Sequence, residues 1–208
     1  MNNANTSKRL TKRQQRSVET RQKIYDVAMI LINQYGYENV TINDICTNAD
    51  VTVGSFYHHF ESKDGILVKC LEDEDCSVIQ ILANSKEKSI ISRFKELFLS
   101  RVYLITIEKS VDFSIDCTIA HLRNRILGSY SPEREFYKAL YQIVIEGQQK
   151  GVFKKDIDPG VFVESVLFNI GGLTLSWQLS NGTYPIEEKA TQQFDLFLQM
   201  ITNVNSEG

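Results

Sequence analysis

Between Val40 and Lys69 the chain reads VTINDICTNADVTVGSFYHHFESKDGILVK, and three helix-start signals crowd into this stretch. Thr41 is a good N-cap, and Asp44 follows at the spacing of a capping box. Ile42 and Ile45 would then face a core, with Cys46 beside them. Thr52 is a second cap and opens a very short helix, VGSFYHH. Ser62 caps a third helix that begins at Lys63. Two short helices joined by a turn of about three to four residues make the helix-turn-helix geometry, whose second helix enters the DNA major groove.

The same residues carry a resemblance. Gly54, Ser55, Phe56, Tyr57, His58, His59, Phe60 and Lys63 stand in the order and spacing of the signature of the TetR family of bacterial transcriptional regulators. The match extends upstream through Gly36-Tyr37, Thr41-Ile42 and Asp44-Ile45. The resemblance implies an all-α chain of about nine helices: a three-helix DNA-binding domain over residues 17–62, then a helical ligand-binding and dimerisation domain over 63–208. It implies base contacts from Thr52, Val53, Gly54 and Ser55, and contacts from Tyr57 and His58 to phosphates or bases. Lys63 would clamp a phosphate, and Thr41 would both cap its helix and touch one. Phe56 and Phe60 read as core, and His59 as either a packing residue or a phosphate contact. The family often places Gly in the turn before the second helix, where this chain has Asp50. Asp tolerates a left-handed backbone better than most non-Gly residues, so the turn is expected to survive at small cost.

Charge is uneven. Residues 1–23 hold seven basic side chains (Lys8, Arg9, Lys12, Arg13, Arg16, Arg21, Lys23) against Glu19 alone, a net +6; the whole chain is at −3, which leaves −9 for the remainder. A basic end on an acidic body suggests an anionic partner for that end only. Residues 1–16 show no apolar period and read as an arm: a solvated tail, or a phosphate or minor-groove contact. The first helix is expected from Ser17 or Thr20 to Tyr35, with Ile24, Val27, Ala28, Leu31, Ile32 and Tyr35 on one stripe and Gly36 as its stop. The four cysteines (Cys46, Cys70, Cys76, Cys117) form no CxxC pair, and the start lacks the apolar run of a secretory signal. Reduced cytoplasmic thiols, with no metal and no cofactor, fit best.

Beyond Lys63 the periodicity predicts a linking helix to about Leu82, with Ile66, Leu67, Cys70, Leu71, Val78 and Leu82 inward and Glu72-Asp73-Glu74-Asp75 as a solvated face. Five more helices follow. One carries Phe94, Leu97, Phe98, Arg101, Val102, Leu104 and Ile105. The next runs from Phe113 to Leu127 and is ended by Gly128. Another has Pro132 at N1 after Ser131 and stops at Gly151. Asp158 and Pro159 open the eighth helix, and the last shows Ala190, Phe194, Phe197, Leu198 and Ile201 at helical spacing. The tail from Asn203 is polar.

The eighth helix is apolar nearly all round, so it must be covered on every side. Val161–Ser180 contains Glu164, Asn169, Gln178 and Gly171-Gly172, which suits a buried soluble helix better than a membrane span. A second subunit is the simplest source of the extra cover. The resemblance implies a four-helix dimer interface from the last two helices of each chain, assigned to Phe162, Val166, Ile170, Leu173, Phe194, Phe197 and Ile201. The glycine pair would cost about 2 kcal/mol against alanine unless it serves a close helix contact.

The resemblance also implies a small apolar ligand in the body, for which Phe94, Tyr103, Phe113, Cys117, His121, Tyr141, Asn169 and Trp177 are the candidate lining. No cation stands out as an anion receiver, which favours a neutral or cationic inducer; Asp116 and Glu164 could serve a cation. An enzyme is disfavoured. Cys117 and His121 are i, i+4, but Asp116 lies about 100° round the helix and completes no triad. No GxSxG, P-loop, HExxH or GxGxxG occurs. The expectation is a cytoplasmic homodimeric repressor that binds an inverted-repeat DNA operator and is released by the ligand. The alternative is a ligand-independent activator or architectural DNA-binding factor.

Overall fold

The computed structural model describes residues 11–84, 89–106, 110–125 and 130–202. Among the described residues there are nine α-helices: α1 (Lys12–Tyr35), α2 (Ile42–Asn48), α3 (Val53–His59), α4 (Asp64–Asn84), α5 (Ile90–Thr106), α6 (Val111–Arg123), α7 (Glu135–Gln149), α8 (Pro159–Leu179) and α9 (Ile186–Ile201). A lone antiparallel bridge, Phe153 to Thr202, is the β pairing found there. The fold is all-α. The chain divides into two compact units, Met1–Ile66 and Leu67–Gly208, with the division inside the first turn of α4.

In the first unit α1 packs on α2 and α3. Its core is Ile24, Tyr25, Ala28, Ile32, Tyr37, Val40, Ile45, Cys46, Ala49, Phe56 and Phe60. Helix α1 begins earlier than the expected Ser17. Thr11 and Gln14 form a capping box, and the first two turns are exposed on all sides. No apolar period marks those turns, so a stripe-based reading passes over them. A cap and good helix formers (Lys, Arg, Gln) sustain them instead. Residues 12–16 of the expected arm are therefore helical; residues 1–10 lie outside the described residues, as does the tail from 203. Tyr35, placed on the stripe by spacing, is exposed, whereas Tyr25 is buried. Gly36 ends the helix at φ +82°, where a side chain would be strained.

The second unit is built on one apolar core. Phe94, Leu97, Phe98, Phe136, Leu140, Val144, Phe162, Val163, Val166, Phe194 and Ile201 belong to it. Three rings nest around Phe94: Phe194 at 5.1 Å, Phe162 at 5.9 Å and Phe153 at 6.3 Å between centroids. Phe153 reaches in from the α7–α8 link across Gly147, where a Cβ would stand 2.6 Å from Phe153 Cε2. The link then clasps α9. Lys154 N–H donates to Ile201 O at 2.7 Å, and Lys154 Nζ donates to Met200 O at 2.9 Å. Those carbonyls end a helix and have no further turn to bond.

Three boundaries differ from expectation. Lys63 lies in the turn before α4, which starts at Asp64 rather than Lys63. Ser131-Pro132 does not open α7. The Ser131 carbonyl accepts the Arg134 N–H at 3.0 Å and closes a single turn, and the helix starts at Glu135. Helix α6 ends at Arg123, with Asn124 as its cap; Leu127 and Gly128 lie outside the described residues. The side chains of Leu71, Glu72, Glu74, Asp75, Cys76, Val78, Leu82 and Ile105 also lie outside them.

Helix α8 opens as expected, with the Asp158 carboxylate accepting the Val161 N–H at 2.9 Å and Pro159 in the first turn. By length and composition it could cross a bilayer. Its inner face nevertheless packs into the body core through Phe162, Val163, Val166, Leu167, Ile170 and Leu173. The residues assigned to the dimer contact share that burial. Phe162, Val166, Ile170, Leu173, Phe194, Phe197 and Ile201 are all buried within the chain itself, so they have little surface left for a partner. The open apolar face is a different one. Val161, Phe168, Leu175 and Leu179 on α8 are 62%, 63%, 51% and 80% exposed, and Leu196 and Met200 on α9 are exposed as well. Gly171 is occupied from within the chain, because the Tyr130 hydroxyl sits where its Cβ would be; Gly172 has nothing within 4 Å.

Candidate nucleic-acid interface

Helix α3 is short and stands on two aromatic anchors. Phe56 and Phe60 are buried, with ring centroids 5.7 Å apart. Their burial turns Thr52, Val53, Gly54, Tyr57 and His58 to solvent, with Ser55 half-buried between them. Thr52 caps the helix by accepting the Ser55 N–H at 3.1 Å. Its hydroxyl hydrogen remains available as a donor. The turn from α2 holds Asp50 at φ +50°, the left-handed conformation expected of it. Ala49 N–H to Ile45 O at 2.8 Å and Val51 N–H to Cys46 O at 3.0 Å fix that turn. Gly54 meets only Thr52 Oγ1, 3.8 Å from where a Cβ would be. Internal packing therefore leaves room for a side chain there.

Two of the expected DNA contacts are engaged elsewhere. Thr41 forms a full capping box: its Oγ1 accepts the Asp44 N–H at 3.1 Å, and its N–H and hydroxyl both donate to Asp44 Oδ2, at 2.9 and 2.6 Å. A hydroxyl carries one hydrogen, and this one is committed to Asp44. The side-chain and backbone hydrogen bonds from Thr41 hold the Asp44 carboxyl below its usual range. Lys63 turns inward. Its Nζ donates to Tyr37 O at 2.7 Å and Val40 O at 2.9 Å and lies 3.9 Å from the Tyr37 ring centroid. It ties the α1–α2 loop to the turn before α4, and Tyr37 Oη adds a hydrogen bond to Asp64 Oδ1. Sequence spacing cannot separate a clamp on phosphate from a clamp on carbonyls, since both use the same ammonium donors.

His58 and His59 stack edge to face at 4.9 Å. Burial, then the neighbouring His58 and Arg21, push the His59 imidazole below its ordinary range. His59 is half-buried and His58 is exposed.

The candidate ligand residues fall on four helices, α5, α6, α7 and α8. Phe94 is consumed by the aromatic core. Tyr103 is exposed. Phe113, Cys117 and His121 lie along α6, the first buried and the others half-buried. Tyr141 stacks on Tyr137 at 6.4 Å. Asn169 Nδ2 donates to Gln193 Oε1 of α9 at 3.1 Å. Trp177 lines a groove of about 410 Å³ with Thr106, Gly182, Tyr184 and the start of α9. Sequence reasoning missed a polar knot between α6 and α8. Gln178 Nε2 lies within 3.0 Å of three acceptors: Ser114 O, Ser114 Oγ and Thr118 Oγ1. The signal was present, because a glutamine on a buried apolar helix must find partners.

An all-α chain with a three-helix head, whose short third helix stands on two phenylalanines and shows polar and aromatic residues outward, defines a helix-turn-helix DNA-binding regulator. Residues 24–70 match the family model for bacterial regulatory proteins of the tetR family. Over those residues the chain carries the DNA-binding region of the TetR family of bacterial regulatory proteins. It is 22% identical over 198 residues to the HTH-type transcriptional repressor DhaR of Mycobacterium sp. (strain GP1), an alignment covering 90% of this chain and 97% of that one. It is 23% identical over 191 residues to the A-factor receptor protein of Streptomyces griseus, covering 92% and 67%. The fold is also that of a TetR-family transcriptional regulator from Pectobacterium atrosepticum, with a TM-score of 0.70, 18% identity, and coverage of 93% and 98%.

Proposed function

We propose that this regulator is a cytoplasmic repressor that binds an inverted-repeat operator as a homodimer and is released by a small apolar ligand. The observation that carries the DNA half is the outward face of α3. Thr52, Val53, Gly54, Tyr57 and His58 share solvent exposure. Gly54 keeps the helix surface low without any internal packing need, which suits close approach to a base edge or phosphate. Base readout would come from Thr52 to Ser55, with Tyr57 and His58 toward phosphates or bases. Thr41 and Lys63 serve as cap and internal tie instead.

The homodimer is supported by the open apolar face of α8 and α9. A contiguous exposed patch of this kind is an interaction site in a soluble protein, and a twofold axis makes one patch its own partner. Two linked heads then read two half-sites. For ligand release, the similarity to a repressor and to a receptor protein supports the reading. Within the chain, the groove of about 410 Å³ beside Trp177 sets Tyr184 and Ile186 next to the hydroxyl of Thr106, the mix of apolar wall and polar group that ligand sites use.

The test is selection of bound fragments from the source genome, then footprinting with wild type and with Tyr57→Ala/His58→Ala. Protection of a palindromic site by wild type and its loss in the variant is expected. Binding indifferent to sequence and to the variant would sink the operator reading. A thermal-shift screen of apolar compounds tests the ligand. A compound at 100 times its dissociation constant adds about 2.7 kcal/mol of stability, and true inducers would also release the operator.

A further inference from the structure

The exposed start of α1 is the charged surface that the helix-turn-helix leaves unexplained. Residues 11–19 are exposed, and Lys12, Arg13 and Arg16 make no ion pair with any described residue. The first turn of α1 holds no acidic residue. Lys12 and Arg13 therefore sit at the positive end of the helix dipole, which disfavours them. A local choice that works against its own helix points to a constraint other than stability. Lys12, Arg16 and Lys23 fall within about 40° of one another round the helix, with Arg13 about 100° from Lys12. Glu19 lies on the same stripe and offsets one charge, so the surplus is at the tip.

The position of the tip follows from one contact. The Arg21 guanidinium lies 5.3 Å from the ring centroid of Phe60, the C-cap of α3. At a rise of about 1.5 Å per residue, Lys12 stands about 14 Å further along α1. The buried side chains of α1 begin only at Ile24. The tip thus overhangs the three-helix head on the side of the α3 C-terminus.

We propose that this basic overhang is a second DNA-contacting element, gripping phosphates that flank the sequence read by α3. The proposal rests on the operator-reading function above. Its helical form decides the mode of contact. A helix with side chains is about 10–12 Å across and the minor groove is about 6 Å wide, so the overhang cannot enter that groove as an extended arm would. It is confined to the backbone and adds affinity without reading sequence. A reach of about 14 Å covers about four base-pair steps of 3.4 Å.

The experiment compares full-length wild type with Lys12→Gln/Arg13→Gln/Arg16→Gln. Glutamine keeps the helix propensity, and circular dichroism checks that the helix content stays. Affinity is measured against salt on the selected operator with long flanks, and on a duplex trimmed to the bases read by α3. On flanked DNA the wild-type slope should be steeper by up to about 2.7, so wild type loses about 40-fold more affinity than the variant between 50 and 200 mM salt. On the trimmed duplex the difference should vanish. Lys12→Arg/Arg13→Lys/Arg16→Lys, which keeps the charges, should restore the wild-type slope. Equal slopes on flanked DNA, or an effect as large on the trimmed duplex, would overturn the flanking contact while leaving the operator reading intact. Wild type that selects no operator at all would overturn that reading, and this inference with it.

Discussion

Leu175 tests which face of α8 would meet a second copy in the proposed homodimer. The residue is 51% exposed in the chain, while Phe162, about 140° round the same helix, is 3% exposed. Fully burying a leucine side chain is worth about 1.5–3 kcal/mol, so covering the open half contributes about 1 kcal/mol per protomer. A twofold interface counts it twice, giving about 2 kcal/mol, or about 30-fold in dimer dissociation constant for Leu175→Ala. Leu175→Glu is harsher, because it also brings two like charges into the desolvated contact. Phe162→Ala should behave oppositely. It leaves a cavity in the body core and costs about 3–5 kcal/mol of protomer stability. Sedimentation velocity over a dilution series reads the dimer, and thermal melts read the protomer. The reasoning fails if Leu175→Glu remains dimeric at the dilution where wild type begins to dissociate. It also fails if Phe162→Ala separates the subunits without lowering the melting temperature.

Lys63→Ala should lower the stability of the DNA-binding head by about 1–3 kcal/mol, since it strips two carbonyls of their donor; the salt slope of operator binding should not change, and a slope reduced by about one would return Lys63 to the phosphates. Gly147→Ala should cost at least about 1–3 kcal/mol, because its Cβ falls inside the ring of fully buried Phe153; a melting temperature equal to wild type would show that the α7–α8 link is not wedged there. Thr41→Ala removes the cap of α2 at about 1 kcal/mol and with it a source of acid sensitivity. The hydrogen bonds from Thr41 hold the Asp44 carboxyl below the ordinary carboxylate range, so its contribution is present above that range and fades as pH falls through the lowered folded value. Denaturation followed between pH 5 and pH 2 should show a shallower acid loss in the variant, and identical profiles would remove Asp44 from the account.

The head was largely legible because its signals are local. Thr41, Thr52 and Asp50 act within three or four residues of themselves, and caps and a left-handed turn are short-range physics. Phe56 and Phe60 were legible as anchors because a four-residue spacing on one helix fixes a common face. The Lys63 contacts to the Tyr37 and Val40 carbonyls were not, since they depend on a loop more than twenty residues away. The start of α1 was missed for a different reason: apolar periodicity detects burial, and a helix with nothing to bury has no period.

Helix α8 shows the limit most sharply. Composition says that it needs cover all round, but a nearly uniform apolar wheel cannot say which side the chain itself supplies. The interior was supplied by α5, α6, α7 and α9, which left Val161, Phe168, Leu175 and Leu179 outward. Its adjacent glycines then separate the two demands. Gly171 is explained inside the chain, where the Tyr130 hydroxyl occupies the place of its side chain. Gly172 is one residue on, about 100° round the helix, and among the described residues no other element comes within 4 Å of where its Cβ would be. An interior helical glycine costs about 1 kcal/mol against alanine. Its own fold gives that residue no return, whereas a second helix laid along Phe168 and Leu175 would come closest to α8 there.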